Sequence, residues 1–135
     1  MTEVKVTERG WAGHFEDADR CAYHRNTLVE YDDRKIVVST VGRYQVRGRI
    51  VEIDYERWFD TKVCVAVQTA KYLEPDMKKE IHLDCDTAMY ADNFSDLLKE
   101  HPEGIDNAAD RMHEEAVKEV KQKIVESVFW ESVNV

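Results

Sequence analysis

Proline and glycine are scarce, at two and five of 135 residues, which excludes collagen-like and linker-rich architectures. No apolar run approaches the roughly 18 residues needed to span a bilayer. The Met1–Val6 start carries no signal-peptide pattern, so no membrane partner and a cytoplasmic location are expected. Cysteine is sparse and odd in number. Cys21, Cys64 and Cys85 recur at no fixed spacing, which suits free thiols in a reducing compartment better than a disulfide framework. Gly-x-Ser-x-Gly and P-loop patterns are also missing, so no local catalytic signature is present. What remains is a 43% hydrophobic, 35% charged chain, enough apolar material for one core and one domain over residues 1–135.

The net charge of −9 is unevenly spread. Residues 1–73 hold 12 basic and 12 acidic side chains, whereas residues 74–110 hold three basic and eleven acidic ones. Segregation of this kind bears on partners and association rate, not on fold.

Residues 1–90 read as sheet and 91–135 as helix. Strand candidates are Val4–Thr7, Cys21–Tyr31, Ile36–Val41, Arg49–Tyr55, Lys62–Ala70 and Glu80–Asp86, alternating or β-branched runs with short connections. Asp92 is the expected cap of a short helix through Glu100 that buries Phe94, Leu97 and Leu98. Asp106 is the expected cap of a long helix, continuous over Arg111–Val128, with Ala109, Met112, Ala116, Val120, Ile124 and Val128 in one stripe. The fold class expected is α+β: a twisted antiparallel sheet of five to six strands, with the short acidic helix and the long C-terminal helix packed on one face.

Gly10-Trp11-Ala12-Gly13-His14-Phe15, Asp19-Arg20-Cys21, Arg25-Asn26-Thr27-Leu28 and Val37-Val38-Ser39-Thr40-Val41-Gly42 resemble a family of small proteins from phages, prophages and other mobile elements. The resemblance covers residues 5–42 and extends loosely to Asp110-Arg111-Met112-His113-Glu114. It implies a mobile-element setting and supplies no catalytic residue.

Three constellations carry potential chemistry. Cys21-x-x-His24 and His82-x-x-Cys85 have zinc-ligand spacing, but residues three apart on a strand face opposite ways. No metal and no cofactor are therefore expected, and Cys85 is expected in the core, facing away from His82. His14, Cys21 and His24 near the glycine-flanked Trp11 define the enzyme alternative; the competing reading of Gly10–Phe15 is a bulged strand with Trp11 in the core. The acidic block is the third. On a strand, Glu80, Asp84 and Asp86 share the face opposite Ile81 and Leu83, and on the helix Asp92, Asp96 and Glu100 recur every four residues. Like charges so placed cost stability.

Secondary candidates are Trp11, His14 and the basic cluster Arg43, Arg47 and Arg49 at a hairpin tip. Trp58-Phe59 is expected to supply a core residue, and Phe129-Trp130 a docking contact near the C-terminus. The function expected is a non-enzymatic acidic inhibitor of a host nucleic-acid-binding defence complex, of anti-CRISPR type. Its six carboxylates would dock in a basic groove of a protein or ribonucleoprotein. Direct nucleic-acid binding is not expected, and a homodimer is compatible. A structural or assembly protein with a solvated acidic face is the remaining alternative.

Overall fold

Residues 3–10, 14, 20–70 and 72–134 are described in a computed structural model. Their strands are β1 (Lys5–Glu8), β2 (Cys21–Tyr31), β3 (Arg34–Val46), β4 (Arg49–Val51), β5 (Arg57–Gln68), β6 (Leu73–Glu80) and β7 (Ala88–Tyr90). The helices are α1 (Phe94–Glu100), α2 (Ile105–Lys123) and α3 (Ser127–Val133). The fold is α+β with one antiparallel sheet in the order β1-β2-β3-β5-β6. β4 is added to the far end of β3, and β7 to the start of β5. No helix among the described residues is long and apolar enough to cross a membrane.

Alternation sorts the long central strands into two faces. Val29, Ile36, Val38, Val63 and Val65 pack against Ala116, Val120 and Ile124 of the helical layer. Nearer the start of α2, Ala108, Ala109 and Met112 cover Tyr23, Trp58, Phe59 and Met89, with Leu97 of α1 closing the end. Val120 and Ile124 are wholly buried, a gain of about 1.5–3 kcal/mol each. Both Trp58 and Phe59 belong to the core. Gly42 lies opposite Phe59; a Cβ there would sit 2.1 Å from the ring, so only glycine admits the aromatic. The other face buries Asn26, Leu28, Val37, Ser39, Val41, Asp60 and Cys64. Arg9, just beyond β1, donates to the Leu73 carbonyl at the start of β6, so the sheet curls until its two outer strands approach.

Several element boundaries differ from the sequence reading, each for a local reason. The strand expected over Glu80–Asp86 is displaced: β6 ends at Glu80, and residues 81–87 form an excursion. The chain leaves β5 where Ile81 N–H donates to the Val63 carbonyl, and rejoins where Thr61 N–H donates to the Thr87 carbonyl. β6 itself holds Pro75 and five charged residues, a composition that an edge strand tolerates. The strand expected over Arg49–Tyr55 stops at Val51, because Tyr55 and Glu56 adopt φ of 38° and 68° and reverse the chain. Arg57 holds that turn through a two-pronged bond to Asp54 at 2.9 and 2.6 Å.

The helices are corrected too. Asn93, not Asp92, caps α1, accepting from Asp96 N–H at 2.9 Å, and Leu98 is exposed. Gly104 precedes α2 with φ 105°, which places Asp106 in the first turn, paired with Arg43 at 2.6 Å. The long helix is not continuous to Val128. Arg34 takes the Ile124 carbonyl at 2.8 Å, diverting an acceptor that a continuing helix would use. Steps of four from Ile124 would have buried Val128, which is instead 80% exposed. The break rotates the stripe, so that Phe129, Trp130 and Val133 pack against the core. Terminal docking by Phe129-Trp130 thus occurs within the chain.

Candidate functional site: an acidic groove beside the long helix

The 81–87 excursion is held open by α2. Glu119 accepts from Asp84 N–H at 2.8 Å and Cys85 N–H at 3.0 Å, and Lys123 binds the same carboxylate at 2.8 Å. Burial opposes charge on Glu119, yet Lys123 and the two N–H donors outweigh it and hold the carboxyl at about 2. Ile81 is buried, Leu83 and Cys85 are half-buried, and His82, Asp84 and Asp86 are exposed. Alternation therefore survives without a strand. The exposure of His82 and inward turn of Cys85 fit opposite orientations, and burial followed by nearby Glu119 pushes the Cys85 thiol up to about 11.

Between this excursion, α1 and α2 runs a groove of about 650 Å³. Met89, Ala108 and Met112 contribute apolar lining; Asp84, Asp86, Glu100 and Glu115 supply carboxylates. Asp84 reaches Lys123 at 3.4 Å; the side chains of Asp86, Glu100 and Glu115 make no hydrogen bond or ion pair among the described residues. Arg111 on the same wall is engaged by Glu103 at 2.6 Å. Of the six residues expected in one acidic surface, three line this groove. Glu80 faces Lys62 on the neighbouring strand at 3.6 Å. Asp92 lies before the α1 cap, and Asp96 is bonded to Asn93 in the first turn. Glu115 and Glu119 were missed by sequence reasoning. Their i,i+4 spacing on the flank of the α2 stripe was the available signal.

His14 lies on the opposite face of the sheet, its side chain 1% exposed. Asp60 accepts from Nε2 at 2.8 Å, and the Ser39 hydroxyl meets Nδ1 at 3.1 Å; Arg57 also binds Asp60 at 3.1 Å. Hydroxyl, imidazole and carboxylate thus stand in the order of an acyl-transfer relay. Ser39 is fully buried, however, so its oxygen cannot meet a substrate in this arrangement, and the trio fastens His14 to the sheet. Cys21 packs with Val41 and Ile53, while His24 is exposed. The three residues of the enzyme alternative thus occupy different surroundings. No group of three or more His, Cys, Asp or Glu placed to hold a metal occurs among the described residues.

The basic cluster divides. Arg47 and Gly48, with φ of 52° and 78°, form the two-residue turn of the β3–β4 hairpin, and Arg47 and Arg49 are exposed there. Arg43 is drawn away to Asp106 and lies 5.5 Å from the Phe59 ring centre. Trp11, and most of the bulged strand expected around it, fall outside the described residues.

A second buried imidazole had no sequence signal. His113 of α2 meets Thr27 Oγ1 through Nε2 and Thr40 Oγ1 through Nδ1, both at 2.7 Å. Thr27 donates to Glu8 at 2.8 Å, so it accepts from Nε2–H. Nδ1 then accepts from Thr40, which accepts from Thr61 at 2.6 Å. The Glu8 carboxylate thereby sets the direction of the whole chain and the tautomer of a neutral ring. Burial first, and then Arg25, press the His113 pKa down to about 4.

Comparisons with family models, curated proteins and solved structures return no match.

Proposed function

We propose that this chain is a non-enzymatic acidic binding protein of a mobile element that occupies the basic nucleic-acid channel of a host defence complex, in the manner of an anti-CRISPR inhibitor. The observation that carries the reading is the convergence of Asp84, Asp86, Glu100 and Glu115 around a groove lined by methionines. Lysine and arginine side chains of a partner suit such a groove twice over. Their aliphatic stems lie on Met89 and Met112, while their charged heads meet carboxylates. The three groove acids without ion pairs are available to such heads at no cost in broken bridges. The mobile-element setting rests on the sequence resemblance.

The test is capture of nucleic-acid-binding complexes from host lysate at low and high salt. The reading requires recovery of a complex with a basic channel at low salt and its loss at high salt. Replacing Asp84 and Asp86 by Lys should abolish capture with the fold intact, since exposed substitutions cost within about 0.5 kcal/mol. Glu30→Lys, on β2, should matter much less. Equal loss from both changes would reduce the effect to general steering, and no loss from either would overturn the reading.

A further inference from the structure

We propose that the groove between β1 and α2 is a binding site for a short linear zwitterion, a peptide of about three residues with free termini, added as an antiparallel strand to β1. The groove has a volume of about 560 Å³ and lies apart from the acidic groove.

Its chemistry is ordered along its length. Three contacts fix how the elements run: Tyr23 to Asp110 at 2.5 Å, Thr27 to His113 at 2.7 Å, and Arg34 to the Ile124 carbonyl at 2.8 Å. β2 and α2 therefore run in the same direction, and β1, which pairs Glu8 with Thr27 and Val6 with Val29, runs against them. Glu8 and Glu114 stand at one end, with Arg25 between them, 3.0 Å from Glu8 and 3.7 Å from Glu114. Asp110 adds a third carboxylate there at 3.3 Å from Arg25, leaving that end negative. Val6 and Val117 form the apolar middle. Lys118 and Lys121 stand at the other end, exposed and without an ion-pair partner among the described residues.

Length and backbone agree with a peptide. Glu114 and Lys121 are seven residues apart on one helix, about 10 Å, and three extended residues span about 10 Å. β1 pairs only with β2 among the described residues. Arg9 N–H donates to the Asn26 carbonyl at 2.7 Å. Antiparallel pairing alternates, so Val6 and Glu8 turn their N–H and C=O groups outward. A peptide with its ammonium at Glu8 and Glu114, and its carboxylate at Lys118 and Lys121, runs antiparallel to β1. It continues the sheet by strand addition, with one side chain between Val6 and Val117.

The experiment titrates the whole chain with Ala-Val-Ala, N-acetyl-Ala-Val-Ala and Ala-Val-Ala amide, followed by calorimetry and amide chemical shifts. Ala-Val-Ala should bind with Kd near or below about 1 mM, and each cap should weaken it about tenfold. Glu114→Gln should remove the penalty of acetylation, and the double change Lys118→Gln, Lys121→Gln that of amidation. Asp84→Lys with Asp86→Lys, in the other groove, should leave peptide binding unchanged, so this site and the acidic groove fail separately. Absence of binding by the free tripeptide overturns the proposal, as does equal binding of capped and free forms.

Discussion

Single side chains in this protein are governed by where their protons can go. His113 is folded as a neutral ring with a pKa near 4, below the ordinary 6.5. A depressed imidazole makes the folded state reluctant to take a proton that the unfolded chain accepts. Its share of stability is thus complete above pH 6.5 and is lost as pH falls toward 4. The loss amounts to roughly 3 kcal/mol. Urea midpoints measured between pH 7 and pH 4 should fall along this course. His113→Gln should flatten the slope between pH 6.5 and 5, above the range where carboxylates such as Glu119 begin to titrate. The trio Ser39, His14 and Asp60 gives an opposite kind of prediction. A fluorophosphonate should leave Ser39 of the native chain unlabelled, because the hydroxyl is fully buried and a nucleophile must reach its substrate. Rapid stoichiometric labelling, read by mass spectrometry, would overturn this and mark Ser39 as an accessible nucleophile.

At the scale of elements, the groove depends on a tether. Glu119 accepts two backbone N–H groups from the 81–87 excursion and pairs with Lys123. Glu119→Ala should cost about 2–3 kcal/mol in urea denaturation, since bonds to a charged acceptor are the stronger kind. It should also speed hydrogen exchange at the Asp84 and Cys85 amides, while amides in the β2–β3 ladder keep their protection. The turn at Tyr55 and Glu56 is another element with a readable cost. Both are non-glycine residues in the left-handed region, where a Cβ is disfavoured by about 1–2 kcal/mol. Glu56→Gly should therefore raise the urea midpoint, by an amount worth about 1 kcal/mol.

For the whole molecule, the charge of −9 acts through its placement. The acids Asp84, Asp86, Glu100 and Glu115 lie on one side of α2, whereas the groove on the other side mixes Glu8 and Glu114 with Arg25, Lys118 and Lys121, so the excess negative charge lies on one flank of the helix. Association with a basic partner should slow steeply as ionic strength rises, while dissociation changes little, because screening acts mainly on the encounter. Stopped-flow rates across a salt series distinguish this from a contact governed by apolar burial, for which the association rate would stay flat.

Sequence pattern by itself determined what depends on period. The period-two pattern of Cys21–Tyr31 and the β-branched run Ile36–Val41 made an antiparallel sheet legible, and the Ala109-Met112-Ala116-Val120-Ile124 stripe identified the buried face of the long helix, all five residues being buried. Segregated charge likewise drew attention to residues 74–110 before any geometry was known. Tertiary structure decided what depends on partners far along the chain. Glu119, more than thirty residues away, holds the expected Glu80–Asp86 strand as an excursion, and only Asp84, Asp86 and Glu100 of the six expected acids line one groove. Arg34, ninety residues from Ile124, breaks the C-terminal helix. β6 is polar because it is an edge, and a strand with little apolar area to bury leaves little periodicity to read. His113 is neutral because the packed chain buries it beside Arg25, and its tautomer is set by Thr27 and Thr40 on two different strands. Periodicity reports which face of an element is buried; only the packed chain reports which distant groups compete for its ends and its polar atoms.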